Sequence, residues 1–208
     1  MRNFEKKRKM KKIIIVLLFA FYCNQMSSQE LSYGGILGVG IVSAGNNNGT
    51  STFTNSENII HPTFGAYAEY NFSEKIGLKT NFAFSQKQIK YFTTKENFKL
   101  SYFEISPNFK YDFGNEYRKG FYMLLGPKIS LLSKAENSLG IDAKEIFEST
   151  TAGAQLGFGY RVLKFIDIET KLDYELMPFF KLQNGNKSVL FGAYLTLNVD
   201  IERVINPN

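Results

Sequence analysis

The stretch "TFGAYAEYNFSEKIGLKTNFAFS", residues 63–85, alternates with period two on both sides of a three-residue join. Phe64, Ala66, Ala68, Tyr70 and Phe72 take alternate positions before the join, and Ile76, Leu78, Thr80, Phe82 and Phe84 after it. The positions between them hold Tyr67, Glu69, Asn71, Lys79 and Asn81. Successive side chains of a strand point to opposite faces, so the pattern predicts two strands, each apolar on one face and polar on the other. Only Ser73, Glu74 and Lys75 separate them, which leaves room for an antiparallel hairpin and little else.

The same alternation recurs along the chain. It predicts eight strands, at residues 31–43, 63–73, 76–88, 99–112, 120–133, 151–162, 165–177 and 188–201. Each is longer than the roughly five or six residues usual in soluble proteins. Each is near or above the nine to eleven or so that a tilted strand needs to cross a bilayer. No window after residue 30 has the spacing of a long helix. The connections run long, short, long, short, long, short, long. "AGNNNGTSTFTNSENIIHP" is followed by "SEK", and "KAENSLGIDAKEIFEST" by little more than "LK". This is an up-and-down meander with one loop-rich end, and the even strand count leaves both chain ends at the other.

Pairing the first hairpin about Glu74 sets Glu69 opposite Lys79, a favourable facing pair. It also sets Phe64 opposite Phe84 and Tyr70 opposite Leu78 on the apolar face. Pairing 151–162 with 165–177 about Lys164 sets Arg161 opposite Asp167, Gly159 opposite Glu169, Gly157 opposite Lys171 and Gln155 opposite Asp173. Glycine weakens a strand. A crowded barrel interior gains room from it for a long charged side chain, whereas a solvent face gains nothing. The aromatics Tyr70, Phe72, Tyr111, Phe113 and Tyr160 collect near the short-turn ends, as in an interfacial girdle. Pro107 and Pro127 fall inside strands, facing each other if 99–112 and 120–133 pair about Tyr117. A closed barrel has no edge for a proline, so a bulge or a missing hydrogen bond is expected there.

The formal charge of +6 suggests a nucleic acid or an anionic surface until it is located. Arg2, Lys6, Lys7, Arg8, Lys9, Lys11 and Lys12 carry seven of the 25 positive residues, against Glu5 alone among the 19 acids. The remainder, 18 of each sign, is neutral, so no nucleic acid is expected as a partner. A cationic stretch, an apolar run from Ile13 to Tyr22 and then "SSQE" have the layout of a secretory signal peptide. The apolar run is about half of what a spanning helix needs. Residues 1–28 are therefore expected to be removed, leaving Gln29 first and 29–208 as the exported domain. Cys23, the only cysteine, would leave with them, so neither disulfides nor thiol chemistry is expected.

Nothing here spells out catalysis. His61 is the only histidine. It sits before Pro62, at the start of the 63–73 strand near the external rim, where Ser43 or Ser85 could approach it, though it reads first as a polar loop residue. No nucleophile elbow, metal cluster or phosphate loop appears. No cofactor, no metal and no enzymatic activity are expected.

"YFEISPNFKYDF", residues 102–113, resembles the aromatic-Leu-Glu-Ile-Pro strand of the PorT-like outer-membrane β-barrel proteins of Bacteroidetes. "FYMLLGPKISLLSKA" is similar to the strand that follows it there, and "SSQE" to the end of their signals. The likeness spans roughly residues 30–201. Two departures stand out: Ser106 separates Ile105 from Pro107, and the chain ends "DIERVINPN" rather than on an aromatic residue. The resemblance implies an OmpA-like eight-stranded barrel and little about activity.

The expectation is thus an all-β protein: an eight-stranded antiparallel up-and-down transmembrane β-barrel in the outer membrane, preceded by a cleaved signal peptide. Its interior would hold structural ion pairs among Glu69, Lys79, Glu104, Lys110, Lys128, Arg161, Asp167, Glu169, Lys171, Asp173 and Glu175. An eight-stranded barrel is just wide enough for such side chains to fill, so no open pore is expected. The partners would be outer-membrane lipid, the barrel-assembly machinery, and a surface ligand met by loops 44–62, 89–98, 134–150 and 178–187. The role would be structural or surface-binding. The competing reading inverts the faces: a secreted or periplasmic soluble β-barrel holding a small apolar ligand against an apolar interior. Ala66→Arg separates the two. If that face meets lipid, Arg near the bilayer midplane costs roughly 2–4 kcal/mol, and the variant should lose the heat-modifiable gel mobility of a folded barrel. Normal assembly would assign Ala66 to water.

Overall fold

The computed structural model describes residues 31–46, 53–55, 60–91, 95–114, 120–180 and 188–206. The expected signal peptide, residues 1–28, lies outside them, as do parts of the expected loops. Eight long strands form one sheet: β1 (Leu31–Asn46), β3 (His61–Asn71), β4 (Ile76–Tyr91), β5 (Asn97–Asp112), β6 (Phe121–Asn137), β7 (Thr150–Leu163), β8 (Ile166–Glu175) and β9 (Ser188–Asp200). A three-residue strand, β2 (Phe53–Asn55), pairs only with the loop-end extension of β4. Neighbours run β4-β3-β1-β9-β8-β7-β6-β5, and β5 pairs back onto β4, so the sheet closes into an all-antiparallel, up-and-down barrel. A short helix, α1 (Ile201–Ile205), follows β9.

The registers are those that the side-chain pattern demands. Glu69 faces Lys79 and Phe64 faces Phe84. Arg161 faces Asp167, and Gln155 faces Asp173. A slip of one residue would turn every charge of a strand toward the apolar side, so register is strongly specified. The faces decide between the two readings of the sequence. Glu69 and Lys79 are 1% and 0% exposed, whereas Leu37 is 63% and Leu195 50% exposed. The charges point in and the apolar belt points out, which overturns the soluble barrel with an apolar interior.

The strands are longer than expected at the loop end. β4 continues to Tyr91, β5 begins at Asn97 and β6 runs to Asn137, so the ends of the expected loop 89–98 and the start of 134–150 are strand. His61 likewise opens β3 rather than lying in a loop. At the opposite end, the turn from β3 to β4 is tight: Phe72 N–H and Ser73 N–H both donate to the Ile76 carbonyl.

Two irregularities mark the β5–β6 ladder. Pairing stops after Ile105↔Ile129 and resumes at Phe109↔Leu125 without a change of register, around the facing Pro107 and Pro127. Neither proline donates a hydrogen bond. The buried Asn108 amide donates to the Ser106 carbonyl at 2.9 Å and so occupies an acceptor inside the gap. A true bulge lies elsewhere: Leu132 pairs with Tyr102 and Lys134 with Ser101, leaving Ser133 extra.

Glycines admit interior rings from the neighbouring strand. Gly34 faces Tyr67, Gly40 faces Tyr194 and Gly159 faces Tyr122. A Cβ on Gly159 would stand 2.1 Å from the Tyr122 ring, and one on Gly40 would stand 2.2 Å from that of Tyr194. The room at Gly159 is therefore taken by a tyrosine, not by its other neighbour Glu169. At Gly157 the expected partner is present, with the Lys171 side chain 3.3 Å from a Cβ built there. Gly159→Val should lower the urea midpoint by an amount equivalent to about 1–3 kcal/mol, the usual range for overpacking. Gly35→Val, on the outward face with nothing within 4 Å, should leave it unchanged. Equal midpoints for the two variants would remove the packing role of Gly159.

Candidate functional site

Each strand contributes inward side chains, and together they fill the barrel as layers. Nearest the short turns, Lys110 Nζ lies 2.9 Å from both Glu69 and Asp112. Lys79 and Lys171 approach the two oxygens of Glu169 at 2.5 Å and 2.7 Å. Arg161 holds Asp167 through Nε and Nη2 and reaches Asp200 at 3.6 Å. Tyr122 Oη donates to Glu169 at 2.6 Å, and its ring lies beneath Lys110 Nζ at 4.7 Å. Lys79 Nζ stands 4.1 Å over the ring of Tyr67. A cation over an aromatic face in a dry site gains more than one in water.

A second network stands above the first. Lys128 Nζ lies 2.6 Å from Asp173 and 3.4 Å from Glu104. Lys87 Nζ lies 2.8 Å from Glu104 and 3.2 Å from Glu175. Between the layers is a cavity of about 30 Å³, lined by Ile36, Thr63, Asn81, Ala83, Ser106, Gln155, Tyr194, Thr196 and by Glu104, Lys171 and Asp173 of the two networks. That volume suits one or two water molecules, not a substrate.

All eleven residues named from the sequence are buried. Glu69, Lys110, Lys79, Glu169, Lys171, Arg161 and Asp167 fall in the lower network, and Glu104, Lys128, Asp173 and Glu175 in the upper. Lys87, Asp112 and Asp200 belong with them and were missed. Lys87 shares the parity of Lys79, but it sits at the end of its expected strand. Asp112 and Asp200 lie at strand ends, where alternation gives the weakest signal.

Above the upper network the interior turns apolar. Val42, Ile89, Phe98, Leu100, Leu132, Ala135 and Leu190 point inward from the strand ends, and Phe147 and Phe179 enter from the connections. Phe147 packs edge-on against Phe98 at 5.5 Å and stacks with Phe179 at 6.2 Å. Glu148 N–H donates to the Phe179 carbonyl, which ties the two connections together across the mouth. The sequence gives no hint of Phe147 and Phe179 closing this cap, because those two come from segments without alternation.

His61 is buried and inward, and its Nε2 accepts from Gln88 N–H at 3.3 Å. That nitrogen is thus engaged with backbone, not with Ser43 or Ser85.

An apolar exterior, a charged interior and a closed antiparallel ladder together define an integral outer-membrane β-barrel. In this architecture the short turns face the periplasm and the longer loops the cell exterior. The chain belongs to the outer membrane protein beta-barrel domain family, whose model matches residues 24–181. Among solved structures it is similar to Neisserial surface protein A, at 18% identity and a TM-score of 0.53, covering 82% of this chain and 98% of that one. Two others are Ail, the attachment invasion locus protein of Yersinia pestis, and OprG of Pseudomonas aeruginosa. Ail shares 14% identity with a TM-score of 0.49, over 82% of this chain and 99% of its own. OprG shares 13% with a TM-score of 0.41, over 83% and 93%. No curated protein matches the chain by sequence.

Removing one partner of a buried ion pair strands the other, at a cost of about 3–5 kcal/mol. Lys128→Met should destabilise the barrel by that order in urea titration. Adding Asp173→Asn should recover part of the loss, because the carboxylate stranded by the first change goes with it, whereas Glu104 keeps Lys87. A loss below 1 kcal/mol for Lys128→Met, or purely additive losses, would deny the network its role.

Proposed function

We propose that this protein is a closed, non-enzymatic outer-membrane barrel that serves a structural or surface-binding role through its external end. The observation that carries the reading is the filled interior: two ion networks, then an aromatic cap. A lumen occupied in this way leaves no aqueous route for a solute. The engaged nitrogen of His61 supports the absence of catalysis. Residues 1–28 act as the export signal, and the assembly machinery receives 29–208. The "YFEISPNFKYDF" strand supports kinship with the PorT-like barrels in particular.

Recognition then rests on the external connections, as rigid scaffolds commonly present it on loops. Leu139, 79% exposed, and Leu176, 69% exposed, stand at that end. In planar lipid bilayers the purified protein should give no stepwise conductance, and stable open-channel steps would overturn the closed reading. On intact cells, Leu139→Cys should react with a membrane-impermeant maleimide. Glu74→Cys, in the β3–β4 turn, should react only after the outer membrane is permeabilised. The reverse pattern would turn the barrel over and remove the loops from the surface.

A further inference from the structure

Helix α1 follows β9 directly. Asp200 caps it, its carboxylate accepting from Arg203 N–H at 3.2 Å. Asp200 N–H donates to the Phe165 carbonyl at 2.9 Å, and the Arg203 guanidinium donates to the Lys164 carbonyl at 3.2 Å. The helix is therefore stitched to the β7–β8 turn at the periplasmic rim, and it lies beside β1.

These bonds fix which way it faces. Residues three and four apart share one side of a helix, and Ile201, Val204 and Ile205 are 41%, 55% and 62% exposed. Glu202 and Arg203 lie on the other side, half-buried. Ile201 continues the outward parity of Leu195, Leu197 and Val199, so the helix prolongs the lipid-facing stripe of β9. Its neighbours on the same rim, Leu31 and Leu163, are apolar and more than half exposed, and Phe165 is 40% exposed.

We infer that α1 is an interfacial anchor, its Ile201–Val204–Ile205 face embedded in the periplasmic leaflet of the outer membrane at headgroup depth. The occupant of this surface is phospholipid. The continuity of the patch with the lipid-facing belt argues for lipid over a protein partner, and a short helix with one apolar and one charged side suits the plane of the interface. The chain would thus be held in the bilayer by its strands and braced beneath by a turn of helix lying flat.

The protein contains no tryptophan, so one introduced indole reports without background. Val204→Trp, Leu37→Trp and Glu74→Trp would each be folded into phosphatidylcholine vesicles, with heat-modifiable mobility confirming the barrel. Leu37 marks the lipid-facing belt and Glu74 the aqueous turn. Val204→Trp should emit to the blue of Glu74→Trp and resist iodide. Lipids brominated near the headgroup should quench it at least twofold more than lipids brominated near the chain ends, with the opposite order for Leu37→Trp. Emission and iodide access equal to those of Glu74→Trp would overturn the anchor. Protection from iodide without bromolipid quenching would also overturn it, in favour of a second copy of the chain on that face.

Discussion

Everything in this molecule depends on the pairing of β4 with β5. In hydrocarbon an unpaired backbone amide or carbonyl has no water to turn to, and each costs several kcal/mol. The β4–β5 ladder, from Ile76↔Tyr111 to Lys90↔Asn97, turns an open sheet with two exposed edges into a cylinder with none. Once the cylinder exists, the side chains have only two destinations. Those pointing out must tolerate lipid, and those pointing in must share a space about as wide as themselves. The apolar belt and the packed charges are two results of one closure.

The interior shows how a narrow barrel can be polar without being hollow. Among the described residues, eight buried carboxylates (Glu69, Glu104, Asp112, Asp167, Glu169, Asp173, Glu175, Asp200) meet six buried cations (Lys79, Lys87, Lys110, Lys128, Arg161, Lys171). Taking so many charges from water is unfavourable unless geometry compensates. Here Lys87, Lys110 and Lys128 each meet two or more carboxylates, Lys79 and Lys171 share Glu169, and the tyrosines add ring faces and hydroxyls. An apolar filling would be simpler to stabilise. It would also erase the difference between the inner and outer faces on which register rests. Specification of inside against outside is a physical reason for the charges to remain.

The legible part of this fold was whatever repeats with period two. The facing of Glu69 with Lys79 and of Arg161 with Asp167 followed from where the hairpins turn. The eleven charges share one parity within each strand, and burial puts that parity inside. What stayed hidden is what breaks the period. Ser133 shifts parity inside β6, so no alternation score would place Ala135 inward. Phe147 and Phe179 reach the interior from irregular segments whose direction depends on hydrogen bonds formed only after folding. His61 read as a polar loop residue at the edge of its strand. Yet Pro62 points outward at the start of β3, and His61 turns inward. The tyrosine–glycine contacts were half legible: the glycines invited a neighbour, but the neighbour came from the other side of the strand.

A transmembrane strand is read in a frame of two, much as a gene is read in a frame of three. Inserting or deleting one residue inverts everything downstream, and the ladder transmits the error to both neighbours. The extra Ser133 is a frameshift that β6 carries without harm. It comes after the last interior charge of the strand, Lys128, and turns the frame so that Lys134 meets solvent and Ala135 the cap. The Ser133 hydroxyl, donating to the Ser101 carbonyl at 2.9 Å, holds the shifted chain to its partner. Beyond that point the external ends of β5 and β6 are released from the parity of the membrane span. Sequence can drift in length and pattern there while the part inside the bilayer keeps its frame.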